Sequence, residues 1–281
     1  MIYIRDLFPS LAIIVKAFSY IDDIALVVST TSFKKNIKIL EREIAKLYEL
    51  GATNAIEFDL AKTELLHFST AKEAKSASLR LPNQEVIKPK ELVKWLGIWF
   101  DPSLSFKQHV AIRTSQARSV LQRMTRLASS GRGLSPFALR QLYLACVTSI
   151  ADYGSPIWWK GQAQFKRPLQ ALQNIGLRKI LGVFKTAPIV PMEVEAALAP
   201  PSIRLNTSIR RYALRALKLP SSHLISKVVL INSKPPDFDF NKKSKFFKKN
   251  RPTQISRIWN SIQNLVDLDL LEPIQHYKYA L

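Results

Sequence analysis

The chain has 281 residues, with 42 Lys+Arg against 21 Asp+Glu for a formal net charge of +21, and 47% of it is hydrophobic. That hydrophobic content can build a core, so a wholly disordered chain is excluded. One cysteine and four scattered histidines exclude a disulfide framework and a multi-cysteine zinc site and argue against a His-built metal site, and no apolar run approaches the roughly 18 residues of a membrane helix.

At the N-terminus Arg5 is offset by Asp6, and Lys16 closes the apolar stretch early, so the sequence reads as not secreted. Residues 17–20 and 24–28 are two short β-prone runs with Ile21, Asp22 and Asp23 between them, the pattern of a tight hairpin. Two adjacent carboxylates at a hairpin tip repel each other, and a divalent cation would offset that repulsion. An ordinary Asp-rich turn in a solvated loop is the alternative.

Residues 32–50 predict an amphipathic helix. Ile37, Leu40, Ile44 and Leu47 fall on one face, Lys and Glu lie on the other, and Gly51 is placed as the C-cap. Residues 55–58 and 65–68 read as strands around Asp59-Leu60-Ala61-Lys62-Thr63. A Lys/Ser/Ala-rich loop follows, then a strand at 85–87 and the run Val93-Lys94-Trp95-Leu96-Gly97-Ile98. The order hairpin, helix, strands predicts an α+β domain.

The charge then changes. Residues 1–100 hold 14 Lys/Arg and 12 Asp/Glu, whereas residues 101–281 hold 28 and 9. Asp152 is the only acid between Pro102 and Met192. Such an excess suggests a polyanionic partner. Residues 108–129 predict a helix with Val110, Ala117, Val120, Leu121, Met124 and Leu127 on its apolar face. Arg118, Arg123 and Arg126 fall off that stripe, where they suit a phosphate backbone.

Ser135-Pro136 reads as an N-cap with Pro at the first helical position. The helix it opens runs to about residue 150, with Cys146 spaced as a core position. Pro156 breaks the chain, and Trp158-Trp159 reads as a packing corner between helices. Phe165, Leu169, Leu172, Ile175 and Ile180 mark another helix ended by Gly182. Pro191 opens a short one, and residues 202–217 form a basic helix with Arg204, Arg210, Arg211 and Arg215. Residues 231–252, with Lys242-Lys243-Ser244-Lys245-Phe246-Phe247-Lys248-Lys249, read as a basic linker, and as a nuclear-import or nucleic-acid patch with equal weight. Residues 256–268 form a weak terminal helix. The resulting organisation is 1–100, 101–220, 221–254 and 255–281.

Phe18-Ser19-Tyr20-Ile21-Asp22-Asp23-Ile24-Ala25-Leu26 resembles the Tyr-x-Asp-Asp catalytic hairpin of reverse transcriptases. Phe58-Asp59-Leu60-Ala61-Lys62-Thr63-Glu64 is similar to the next block of the non-LTR (LINE-type) retrotransposon branch. Val93-Lys94-Trp95-Leu96-Gly97-Ile98 resembles the primer-grip block that closes the palm. Downstream, Asp152-Tyr153-Gly154, Ile157-Trp158 and Leu177-Arg178-Lys179-Ile180-Leu181-Gly182 are similar to thumb-side segments of the same elements, fungal ones in particular.

The resemblance covers about residues 2–217. It implies a partial polymerase palm over 1–100, then a mainly helical thumb or connection region. It also implies RNA-directed DNA synthesis with Mg²⁺, an RNA template and a DNA primer as partners, no membrane, and a nuclear or cytoplasmic location. By resemblance Asp22 and Asp23 bind metal, Tyr20 lies below the primer terminus, and Lys62 is a general acid near the triphosphate. Trp95, Leu96 and Gly97 position the primer backbone.

Ile2-Tyr3-Ile4-Arg5-Asp6-Leu7 resembles the tail of the helix before the hairpin. The family's fingers and second aspartate-bearing strand would precede it, and no ribonuclease H constellation follows. The expectation is an internal piece of a retroelement protein, inactive by itself. The alternatives are a non-enzymatic nucleic-acid-binding module and a functionless remnant.

Overall fold

Alternation of side chains over residues 15–28 is satisfied by a two-stranded hairpin in the computed structural model, which describes residues 11–127 and 133–220 with His223 and Ile225. The helix-tail match at 2–7, the basic linker and the terminal helix lie outside the described residues. The chain divides into two compact units, Met1–His109 and Val110–Leu281. The architecture is α+β.

In the first unit β1 (Val15–Tyr20) pairs antiparallel with β2 (Asp23–Val28), from Val15 opposite Val28 to Tyr20 opposite Asp23. One face carries Val15, Ala17, Leu26 and Val28, all buried or half-buried. The other exposes Lys16, Phe18, Tyr20 and Val27. Helix α1 (Phe33–Thr53) packs against β2 and against β3 (Leu79–Arg80). Its apolar stripe forms as the periodicity requires. Ile37 joins a cluster with Leu65, Leu79 and Leu81, and Leu40 and Ile44 lean on it.

Two features of α1 differ from expectation. Gly51 is not the cap: the helix runs on to Asn54, and Gly51 is buried inside it. The chain folds back there, with the Ile56 N–H donating to the Gly51 carbonyl at 2.8 Å. A Cβ at Gly51 would lie 2.5 Å from the Phe58 ring, so the glycine provides close approach rather than termination. Glu43, expected on the solvent face, is fully buried. It accepts from the Ala12 N–H at 3.0 Å and pairs with Arg42 and Lys46, which ties the start of β1 to the helix.

The expected strands at 55–58 and 65–68 do not form. Ala55 is left-handed, at φ 57°, and turns the chain away. Asp59 caps a short 3₁₀ turn, Leu60–Lys62, by accepting from the Ala61 N–H. Leu65 makes one parallel bridge to Pro89, which has no N–H to extend a ladder. Instead β3 pairs with β4 (Val86–Ile87), and β5 (Val93–Trp95) pairs with β6 (Ile98–Phe100). Leu96 and Gly97 both have positive φ, 47° and 78°, as a two-residue primed turn requires. Asp101 then gathers the Ser103 hydroxyl and the N–H groups of Ser105 and Phe106, just ahead of α2 (Lys107–Thr125).

The regular structure of the second unit is all helical among its described residues. Along α2, Val110, Ala117, Leu121 and Met124 are buried, whereas Leu127 beyond its end is half exposed. Ser135 caps α3 (Pro136–Leu142) by accepting from the Ala138 N–H at 3.3 Å. The backbone then widens into a π-helical turn, Tyr143–Thr148, and closes with α4 (Ser149–Ala151). The wide turn keeps i+4 positions in line, so Leu139, Tyr143, Val147 and Ala151 form the buried stripe. Cys146, expected in the core, is rotated out and exposed.

Gly154, at φ 68°, reverses the chain into α5 (Ser155–Trp158), so Pro156 sits in a first turn rather than at a break. Trp158 and Trp159 are buried and meet edge to face, and Trp158 meets Phe165 in the same way. Helix α6 (Ala163–Leu181) ends at left-handed Gly182 and buries Phe165, Leu169, Leu172 and Ile180, leaving Ile175 at the surface. Helices α7 (Ile189–Glu195) and α8 (Pro201–Leu217) are the last of its described elements, both packed on α6.

Candidate catalytic hairpin and nucleic-acid interface

The hairpin turn consists of Ile21 and Asp22, and Asp23 opens β2 opposite Tyr20. Ile21 has φ 57°, a left-handed conformation that a β-branched residue adopts only under strain, of order 1–3 kcal/mol. That strain is what presents Asp22 at the apex. Both aspartates are exposed, and Tyr20 is 60% exposed on the face it shares with Asp23 and Phe18. Among the described residues neither carboxylate has an ion-pair partner, and no three His, Cys, Asp or Glu side chains come together to hold a metal. Two adjacent carboxylates are part of a divalent site but not a whole one. A two-metal clamp needs ligands from a second strand, so these two residues by themselves do not make a two-metal Mg²⁺ site.

Lys62 has its own local partner. Its ammonium lies 2.8 Å from the Asp59 carboxylate, both exposed on the 3₁₀ turn. The hydrogen bond to Asp59 raises the lysine pKa, and the same bond leads in lowering the aspartate's. Trp95, Leu96 and Gly97 stand at the β5–β6 turn. The Trp95 indole is half-buried, and its N–H is shut from solvent with no hydrogen-bond partner among the described residues. The hairpin tip, the Lys62 turn and the β5–β6 turn are thus three separate elements of one unit.

Arg118, Arg123 and Arg126 are all exposed. At 3.6 residues per turn Arg118 and Arg123 lie about 140° apart around α2, off its buried stripe, and Arg126 follows just past its end. Residues 110–220 contain 17 Lys/Arg and three Asp/Glu. Two of those acids are already engaged. Asp152 takes a bidentate fork from Arg204, and Glu193 accepts from Gln170 and Gln173.

The Asp152–Arg204 pair was not visible to residue spacing, because the two lie 52 positions apart on different helices. A signal existed all the same, since a lone acid among many bases calls for a partner. Arg204 also donates to Gln173. Burial pushes its pKa down, but the adjoining Asp152 carboxylate more than offsets this and raises it. Nearby, burial pushes the Tyr143 phenol up to about 12, Arg204 opposing and Asp152 adding. Arg204 is therefore an internal strut rather than one more surface cation. Arg140 is another: it donates to the carbonyls of Ala196 and Ala197 at the end of α7. The histidines, left without a role by the sequence, include His109, buried and accepting from the Trp99 N–H, and His67, bonded to the Ala77 carbonyl.

Against known proteins, the chain is 27% identical over 164 residues to a probable RNA-directed DNA polymerase from transposon BS of Drosophila melanogaster. The match covers 58% of this chain and 18% of that protein's length. No family model and no solved structure matches the chain. Over more than half its length, then, the chain is similar to a part of a transposon-encoded RNA-directed DNA polymerase.

Proposed function

We propose that the chain is a piece of a non-LTR retroelement reverse transcriptase of the fungal type. Its hairpin is the metal-binding element of a two-metal nucleotidyl transfer, and its basic helical unit holds the template–primer duplex. The observation that carries this is the hairpin itself, with Asp22 in a strained two-residue turn and Asp23 opening the return strand opposite Tyr20. The short β5–β6 hairpin with Leu96-Gly97 at its turn follows in the order the resemblance requires. The similarity to a transposon polymerase supports the same reading.

In this reading Asp22 and Asp23 would hold one side of a divalent-ion clamp, and the ions would supply activation of the primer hydroxyl and a grip on the triphosphate once bound. Tyr20 supports the primer end beside them, and Lys62, kept protonated by Asp59, stands ready to neutralise the leaving pyrophosphate. Exposed arginines with few acids about them favour a second reading, in which the chain by itself binds nucleic acid and does no chemistry.

Template–primer binding that Mg²⁺ strengthens in the wild type but not in Asp22→Ala would favour the first reading over the second, and primer extension on a primed RNA template with Mg²⁺ or Mn²⁺ tests the chemistry of the chain by itself. We expect the purified chain to bind the template–primer and not extend it, since the described residues offer two carboxylates and the transfer needs more. Extension abolished by Asp22→Ala would contradict this and show that another carboxylate completes the clamp.

A further inference from the structure

A groove of about 820 Å³ runs between the π-helical turn with α4 and one face of α8. On α8, Arg204, Ser208, Arg211 and Arg215 fall at i, i+4, i+7 and i+11, so all four face it together. Among the described residues the one acid lining the groove is Asp152, and both of its oxygens are taken by Arg204. The charge of that pair is spent internally. Arg211 and Arg215 are left exposed, one turn and about 6 Å apart along the axis. Like charges at that spacing destabilise the helix they share, and a bound anion would remove the cost.

The hydroxyls sort in the same direction. Thr148, Ser149 and Thr207 give their protons to backbone carbonyls one turn back. Ser208 instead accepts from Ser155, which leaves its own proton for a ligand. Among the described residues no aromatic side chain lines the groove to serve as a stacking platform for bases.

We infer that this groove binds a phosphodiester of a nucleic-acid backbone. Arg211 and Arg215 clamp the non-bridging oxygens, and Ser208 donates a third hydrogen bond. The site is separate from Arg118, Arg123 and Arg126, and it rests on the nucleic-acid reading above. A run of phosphates suits it better than a single free ion, because the unit around it is basic along its length.

The test uses the full chain and a fluorescein-labelled RNA–DNA hybrid of mixed sequence, with affinity followed by anisotropy across a salt series. Arg211→Gln with Arg215→Gln should weaken binding by about tenfold and make the salt slope shallower by about two. Lys166→Gln with Arg167→Gln removes the same charge from exposed positions of α6 and should do much less. Arg211→Lys with Arg215→Lys should keep the slope. If the wild-type chain binds the hybrid and both glutamine pairs weaken it alike, the groove assignment is wrong while the nucleic-acid reading stands. If the wild-type chain does not bind the hybrid, both fall. Phosphatidylserine vesicles and inorganic phosphate are titrated in parallel. Sensitivity to the Arg211/Arg215 pair confined to either of them would overturn the assignment to a nucleic-acid backbone.

Discussion

Asp101 illustrates how much one carboxylate organises. Partial burial pushes its pKa up, but the Ser103 hydroxyl and the Ser105 and Phe106 N–H groups outweigh that and hold it at about 2, against 3.8 ordinarily. A group with a depressed folded-state pKa contributes stability above its unfolded value and loses it as pH falls. The contribution should therefore be largely present above about pH 4 and be lost as the pH falls through about 2. Asp101→Asn should lower the denaturation midpoint at pH 7 and flatten the acid limb between those values. Parallel acid limbs in wild type and variant would contradict the assignment. Gly176 is a second such residue. A Cβ there would lie 2.4 Å from the Tyr143 ring, a backbone-fixed clash with a buried side chain. Gly176→Ala should destabilise the helical unit by about 1–3 kcal/mol, read by urea unfolding. A neutral result would mean that the Tyr143 ring moves freely.

Among the elements, the hairpin carries strain at Ile21 and is anchored by Glu43. Ile21→Gly should relieve the left-handed backbone by on the order of 1 kcal/mol and slow hydrogen exchange of the cross-strand amides between Ala17 and Leu26. Faster exchange would show the turn to be unstrained. Glu43→Ala should release the Ala12 N–H and speed proteolysis ahead of β1, with Glu43→Gln less severe because one acceptor remains. These elements also mark what was legible in the sequence. The hairpin, α1, the cap at Ser135-Pro136 and the stop at Gly182 could be read because each is encoded within a few residues, by alternation, periodicity or cap chemistry. The missing strands at 55–58 and 65–68 could not, since a strand exists only with a partner and theirs was blocked by Pro89 and the turn at Ala55. Cys146 was misplaced for a related reason: a π-helical turn changes the period partway through a helix, and 3.6-residue spacing cannot anticipate it. Of the candidate site, the Tyr20–Asp23 tip could be located from the sequence as a motif. The Asp152–Arg204 strut and the groove beside it are tertiary facts with no local signature.

At the scale of the whole molecule the charge is the dominant feature. Net charge of +21 is concentrated beyond residue 100, and in residues 110–220 the acids that do occur include two held in internal contacts. Such a surface repels itself and gains free energy by meeting a polyanion. Among the described residues no helix is long and apolar enough to cross a membrane. Arginine–phosphate contacts carry no base information, so binding should be indifferent to sequence and strongly dependent on ionic strength. The proposed grip on the backbone of a template–primer duplex is tested most directly by the affinity of the chain for an RNA–DNA hybrid across a salt series. Log affinity should fall linearly with log salt, with a slope of about −3 or steeper and the same for hybrids of different base composition. A flat salt response, or no binding at about 50 mM salt, would contradict it.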